Sequence, residues 1–382
     1  MDFDLQWLLI GLPMAFALGW IGSRLDLRQW KRTDREAPRA YFKGLNLLLN
    51  EQPDKAIDAF IEAVQADPDT SELHFALGNL FRRRGEFERA VRVHQHLLQR
   101  ADLPTADRQR AQHALAHDFM KAGLFDRAEE AFRALQGTPF DTDARLALLA
   151  LFERSRDWQA AADEAAALEK AGAGSFATRI AHYQCELAQE ADDRADATAA
   201  DQALARALEV APHAARALLM RAQRLSRQGD TAAALEAWTV LRQRSPESFA
   251  RVANEFAAWA LAQGQGVAAA QALATLYERA PGIDLLRALA VLEGTPAGAS
   301  PRLLDLLHTQ PSLSAALELL DTPRATWPET ARQSVRDAVS RAARPLQRYR
   351  CAACGFEAQR HFWQCPGCLG WDTFPPQRIE EQ

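Results

Sequence analysis

Four of the five cysteines in this 382-residue chain fall close to its C-terminal end, as Cys351-x-x-Cys354 and Cys365-x-x-Cys368 with ten residues between the pairs. A two-residue spacer lets both sulfurs of a pair face one ion, and four thiolates in a tetrahedron suit Zn²⁺ or a single iron. Gly355 and Gly367 are expected to permit the tight turns that aim backbone N–H groups at the sulfurs. Such a closed site keeps no open coordination position for hydrolysis, so its role is structural or at most one-electron transfer. Phe356, Phe362, Trp363, Trp371 and Phe374 supply apolar cover for so small a module, and metal binding itself contributes folding free energy. The remaining thiol, Cys185, sits in an apparent helix and reads as a small buried hydrophobe.

The rest of the chain must position that module. Gly44 recurs as Gly78 and Ala56 as Ala90, at the period of about 34 residues that marks a tetratricopeptide array. The first repeat carries Gly44, Leu47, Ala56, Phe60, Ala63 and Pro68. Small residues let paired helices approach, Phe60 fills the space towards the next pair, and Pro68 stops the second helix. Arg84-Gly85-Glu86-Phe87 and Ala122-Gly123-Leu124-Phe125 repeat one turn in which glycine closes a helix. A third unit keeps Ala116, Phe119, Ala128 and Phe132. Later helical pairs are more degenerate, marked by Phe152 with Trp158, then Ala200 with Leu204, Ala222 with Ala234 and Trp238, and Ala257 with Ala269. Beyond Pro296 prolines multiply, which suits shorter capping helices.

Residues 5–22 read LQWLLIGLPMAFALGWIG, long and apolar enough for a candidate transmembrane helix, with Trp7 and Trp20 near its ends. Asp2 and Asp4 precede it while Arg24, Arg28, Lys31 and Arg32 follow. That order is the reverse of a cleavable signal, and the positive-inside rule places everything after the span in the cytoplasm. Clustered metal-binding thiols persist best in such a reducing compartment.

Net charge of −5 gives no global reason to expect nucleic acid as a partner. A phosphate loop, a zinc-protease helix and a nucleophile elbow are all absent, so no catalytic residue is assigned. His74, His94, His96, His113 and His117 lack ligand spacing on a shared face and a carboxylate partner, and read as surface or helix-packing residues. Arg82–Arg84 suit a helix C-terminus. The basic stretch from Arg332 to Arg350 reads as a solvated helix face, with an anionic partner or lipid headgroups as the alternative.

The cysteine units resemble rubredoxin knuckles, C-x-x-C-G-[FY] and C-P-x-C, and are also similar to zinc ribbons. The central segment is short for a rubredoxin, and Leu369 stands where glycine commonly follows the final cysteine. The spacing leaves iron and zinc open, and the rubredoxin likeness slightly favours iron. The order of modules resembles the lipopolysaccharide assembly protein B family of Gram-negative bacteria. The resemblance implies a non-enzymatic inner-membrane adaptor that helps the membrane protease FtsH degrade LpxC, the deacetylase committing precursor to lipid A, alongside other lipopolysaccharide-synthesis proteins. Residues 1–22 would then anchor the chain, 23–36 form a basic linker, 37–295 the tetratricopeptide solenoid, 296–345 capping helices, 346–376 the four-cysteine module and 377–382 a tail. The fold class is all-α apart from that module. A rubredoxin-like electron carrier and a generic assembly scaffold are the alternative functions, with a nucleic-acid-binding ribbon ranked last; a homo-oligomer is allowed.

Overall fold

The computed structural model describes residues 52–66, 70–309, 312–321 and 339–382, together with Met14, Phe16, Trp20, Phe42–Gly44, Asn46, Leu47 and Asn50. Apart from Met14, Phe16 and Trp20, the expected span at 5–22 lies outside the described residues, as do Pro68, Arg332 and Arg336. No helix among the described residues is long and apolar enough to cross a membrane. The chain forms two compact units, Met1–Arg156 and Asp157–Gln382.

The first unit is built from α1 (Pro53–Ala66), α2 (Ser71–Arg83), α3 (Phe87–Gln99), α4 (Thr105–Ala122), α5 (Phe125–Arg133) and α6 (Asp141–Ser155). The repeat period has a direct physical meaning here. A Cβ built on Gly44 would lie 2.8 Å from the Phe60 ring, and one built on Gly78 would lie 2.4 Å from His94 Nε2. Each glycine thus lets its helix close onto a ring from the next, at the same sequence offset in both repeats. Between α2 and α3, Gly85 takes a φ of +80°, and the Glu86 N–H reaches back 2.8 Å to the Phe81 carbonyl. Between α4 and α5, Gly123 at +76° and the Leu124 N–H on Phe119, 2.9 Å, repeat that cap. This arrangement satisfies carbonyls that the helix end leaves bare.

His94 therefore occupies, in the second repeat, the place that Phe60 holds in the first. A buried imidazole needs a partner, and Asp118 of α4 supplies it: His94 Nδ1 lies 2.5 Å from Asp118 Oδ2, both side chains being fully buried. Arg82 completes the network, donating to Asp118 Oδ1 at 2.8 Å and to the Ala114 carbonyl at 3.0 Å. The sequence reading of the histidines as lacking a carboxylate is corrected at this position, and Arg82 braces two helices rather than merely capping one. His113 and His117 do pack as expected, against Phe140 and Phe132 respectively. Burial, with His113 and Arg82 adding to it, holds the His117 imidazole down at about 4.

The second unit continues with α7 (Trp158–Lys170), α8 (Ala177–Asp193), α9 (Ala197–Val210), α10 (Ala215–Gln228) and α11 (Thr231–Arg244). Then come α12 (Pro246–Arg251), α13 (Ala253–Ala262), α14 (Gly266–Arg279), α15 (Ile283–Glu293), α16 (Pro301–Thr309) and α17 (Leu313–Leu320). Residues 339–346 are helical and lead into the cysteine module. The helices α7, α9 and α11 each open on an aspartate, Asp157, Asp196 and Asp230, whose carboxylate accepts from the N–H three residues on at 3.0–3.1 Å. That is the stabilising N-cap geometry, and it fixes where each of these helices begins. Trp238, Phe249 and Phe256 form the aromatic centre of a core filled around by alanines and leucines of α10 to α15. Cys185 is fully buried in α8, where burial pushes its thiol up to about 12, as suits a core residue rather than a reactive one.

Replacing a helical glycine by alanine ordinarily gains about 1 kcal/mol of helix propensity. Gly78→Ala is expected to do the reverse, because the new methyl must displace buried His94, and overpacking of this kind costs about 1–3 kcal/mol. Urea unfolding of the variant should show a lower midpoint; an unchanged or higher one would contradict the close approach.

Candidate metal centre

The cysteine module is made of two chain reversals of matching design, residues 351–356 and 365–370. In the first, the Cys351 N–H donates to the Phe356 carbonyl and the Gly355 N–H to the Cys351 carbonyl, both at 2.9 Å. In the second, the Cys365 N–H donates to Gly370 at 2.9 Å and the Leu369 N–H to Cys365 at 2.8 Å. The flanking chain matches as well. Strand β1 (Tyr349–Arg350) pairs antiparallel with β2 (Glu357–Ala358), setting Arg350 opposite Glu357, while a single bridge sets Gln364 opposite Trp371. Arg350, the end of the basic stretch, is held by Glu357 at 2.7 Å.

The two reversals bring all four sulfurs within 4.8 Å of one another. Cys351 Sγ and Cys368 Sγ are 3.8 Å apart, and Cys354 Sγ and Cys365 Sγ 3.6 Å. A tetrahedron with metal–sulfur bonds of about 2.3 Å has sulfur–sulfur edges of about 3.8 Å, so the residues present fit a single ion. Four thiolates at this separation repel, and the thiols show it. Burial raises the Cys351 thiol, but the Thr373 hydroxyl and the N–H groups of Cys354 and Ala353 outweigh it and bring it to about 6. The Phe356 N–H lowers the Cys354 thiol, yet burial and the three neighbouring sulfurs push it up to about 12. A bound cation supplies the charge that lets all four ionise together. Cys351 and Cys365 are buried, whereas Cys354 and Cys368 lie on the surface.

Two sequence expectations change. Gly355 does take a left-handed backbone, φ +77°, but in the second reversal that conformation falls on Leu369, φ +60°, and not on Gly367. Gly367 instead permits close packing, since a Cβ there would sit 3.2 Å from Phe356 Cβ, and its N–H points at Cys365 Sγ, 3.4 Å away. The apolar cover is also divided differently. Tyr349, Phe362 and Phe374 gather around the buried cysteines, while Phe356 is 39% exposed.

Trp363 and Trp371 turn away from the sulfurs and onto the helices of the second unit. Trp371 stacks on His182 of α8 with ring centroids 4.4 Å apart, and meets Trp158 of α7 and Tyr183 edge-on. His182, 3% exposed, places Nε2 2.8 Å from Asp372 Oδ2. Trp363 packs against the α10–α15 core, and the Arg251 guanidinium of α12 lies over its ring at 5.5 Å. Further along, Arg378 donates to Asp284 of α15 at 3.2 Å, and Gln347 to Ser314 of α17 at 3.0 Å. The module is thus seated on five helices of its own unit rather than hanging from the chain. His182, Asp372, Arg251 and Arg378 were not singled out from the sequence; the first two are 190 residues apart, and no local pattern marks either.

A helical-repeat solenoid carrying a four-cysteine metal ribbon on its own helices is a scaffold, and comparison with known proteins agrees. The family model described as a rubredoxin metal binding domain matches residues 349–376, and the tetratricopeptide repeat model matches 43–101 and 113–176. Lipopolysaccharide assembly protein B of Escherichia coli (strain K12) is 33% identical over 98% of both chains. The Haemophilus influenzae protein of the same name is 26% identical over 99% of both. Among solved structures, the tetratricopeptide protein YrrB aligns with 51% of this chain and 96% of its own at 15% identity, with a TM-score of 0.35. The chain belongs to the lipopolysaccharide assembly protein B family. It is an adaptor of tetratricopeptide type and not an enzyme, with four cysteines clustered to bind one metal ion.

A non-glycine residue in the left-handed region costs about 1–2 kcal/mol, and glycine returns about 0.5–1 kcal/mol of that through its greater freedom when unfolded. Leu369→Gly in the metal-loaded protein is therefore expected to be neutral to about 1 kcal/mol more stable, and Gly355→Ala less stable by about 1 kcal/mol, as read by denaturant titration at saturating metal. Marked destabilisation by Leu369→Gly would show that the leucine side chain makes a contact worth more than the strain.

Proposed function

We propose that this protein is an adaptor of lipopolysaccharide assembly, tethered to the bacterial inner membrane by residues 5–22 with everything after the span in the cytoplasm. In this reading Cys351, Cys354, Cys365 and Cys368 ligate one zinc or iron ion. Its task is to hold LpxC near FtsH and so promote degradation of the deacetylase, regulating lipid A synthesis without chemistry of its own. The observation that carries the reading is the full-length relationship to proteins named for lipopolysaccharide assembly. The seating of the metal ribbon on α7, α8, α12, α15 and α17 supports a brace rather than a mobile electron carrier. A tether raises the effective concentration of client near a membrane partner, a gain that is lost when the geometry is cut.

Deleting residues 1–22 should leave a folded soluble protein in which cellular LpxC persists several-fold longer. The double variant Cys365→Ser/Cys368→Ser should lose its metal and show the same persistence with the anchor intact. Normal LpxC turnover in cells carrying the truncation would contradict the tethered-adaptor reading.

A further inference from the structure

Packing is only part of what the structure gives His113 and His117. They stand four residues apart on α4, so one face of the helix carries both, and the sequence reading that denied them ligand spacing on a shared face is corrected for this pair as well. Their Nε2 atoms lie 3.2 Å apart, with the rings nearly perpendicular at 83°. Two nitrogens bonded to one ion at about 2.0–2.1 Å stand about 2.9 Å apart at a right angle and about 3.3 Å apart at the tetrahedral angle. The observed separation falls between those limits.

Both rings are held from outside. Phe140, just ahead of α6, stacks on His113 with centroids 4.7 Å apart at 23°, and Phe132 of α5 meets His117 edge-on at 5.1 Å. An aromatic clamp of this kind places the two nitrogens before any ion arrives, which removes part of the ordering cost of binding. Both imidazoles are half-buried, so neither is sealed in the core. The charges that act on the pair come from α2, α4 and α6. Arg82 opposes a cation there, but Asp118, paired with it at 2.8 Å and also bonded to His94, and Asp143 in the first turn of α6 favour one. Burial holds both imidazoles below their ordinary value, His117 at about 4 with His113 and Arg82 adding to the effect, so both are neutral at pH 7 and offer lone pairs. Without an ion, one Nε2 carries the proton that the other accepts. When an ion enters, that proton moves through solvent to Nδ1 of its own ring, and both Nε2 lone pairs turn to the metal.

We infer that His113 and His117 form a second metal site, which binds one divalent ion of the imidazole-preferring class, such as Zn²⁺ or Ni²⁺, with the remaining positions filled by water or a further donor. The segment His113-Ala114-Leu115-Ala116-His117 spaces its histidines as the H-E-x-x-H helix of zinc proteases does, but alanine stands where the glutamate activates water there. The site therefore binds an ion without a base to make it hydrolytic. It lies in the first unit, and depends neither on the cysteine ribbon nor on the lipopolysaccharide reading.

Calorimetric titration of Ni²⁺ into the untagged full-length protein, detergent-solubilised and with the ribbon already zinc-loaded, tests it. A nickel ion should bind in addition to the ribbon's zinc, leave the zinc content unchanged and raise the melting temperature. His113→Gln/His117→Gln, which keeps both side chains close to their size, should abolish that binding and that rise while retaining zinc and helix content. A pH series on the unaltered chain tests the same point without a substitution. Affinity should be nearly constant from about pH 7.5 to about pH 6, because both imidazoles are already neutral, whereas two histidines at the ordinary value of about 6.5 would lose about tenfold over that range. No nickel beyond the zinc, exchange of zinc for nickel, binding unchanged in the double variant, or a tenfold fall at pH 6 would overturn the inference.

Discussion

Four sulfurs brought within bonding reach of one ion are the constraint on which the C-terminal part of this molecule depends. The module that carries them is too small to bury much apolar surface; a two-stranded ladder closes its first reversal and a single bridge its second. Without a cation the thiols compete for protons, as the opposed displacements of Cys351 and Cys354 show. With one, ligation becomes folding free energy. Trp363, Trp371 and Asp372 belong to that module, where the Asp372 N–H bonds the Trp363 carbonyl, and carry its contacts onto the helices.

That seam is built differently from the core beneath it. Inside the second unit, alanines and leucines interdigitate around Trp238, and the interaction is non-directional. At the seam the contacts are aromatic stacking, a buried histidine–aspartate bond, a cation over an indole ring and a charge pair at Arg378. Directional contacts tolerate little displacement, so they hold only while the metal-bound module keeps its shape. In the first unit the Arg82–Asp118–His94 network plays a comparable part between α2, α3 and α4, where an imidazole has replaced the aromatic ring that Phe60 supplies one repeat earlier.

Much of this organisation is legible along the chain because its causes are local. The C-x-x-C spacing acts within a single turn, as do the glycine caps at Gly85 and Gly123, and the repeat period reports which small residue faces which ring. The features that escaped are those whose causes are distant in sequence. Asp118 and His94 are 24 residues apart and Asp372 and His182 are 190, so their pairing depends on how helices stack and not on any motif. Leu369 escaped for another reason. The left-handed position was expected to seek glycine, but it falls on a leucine whose N–H is held by the Cys365 carbonyl.

That the metal site holds the ribbon against the solenoid is tested most directly by amide hydrogen exchange on the full-length protein, metal-loaded and then stripped by a chelator. Chelation should accelerate exchange in the cysteine module and also in α7, α8 and α12, where Trp158, His182 and Arg251 lose their partners, while α2 to α5 of the first unit stay protected. Faster exchange confined to residues 349–376, with α8 and α12 unchanged, would contradict it.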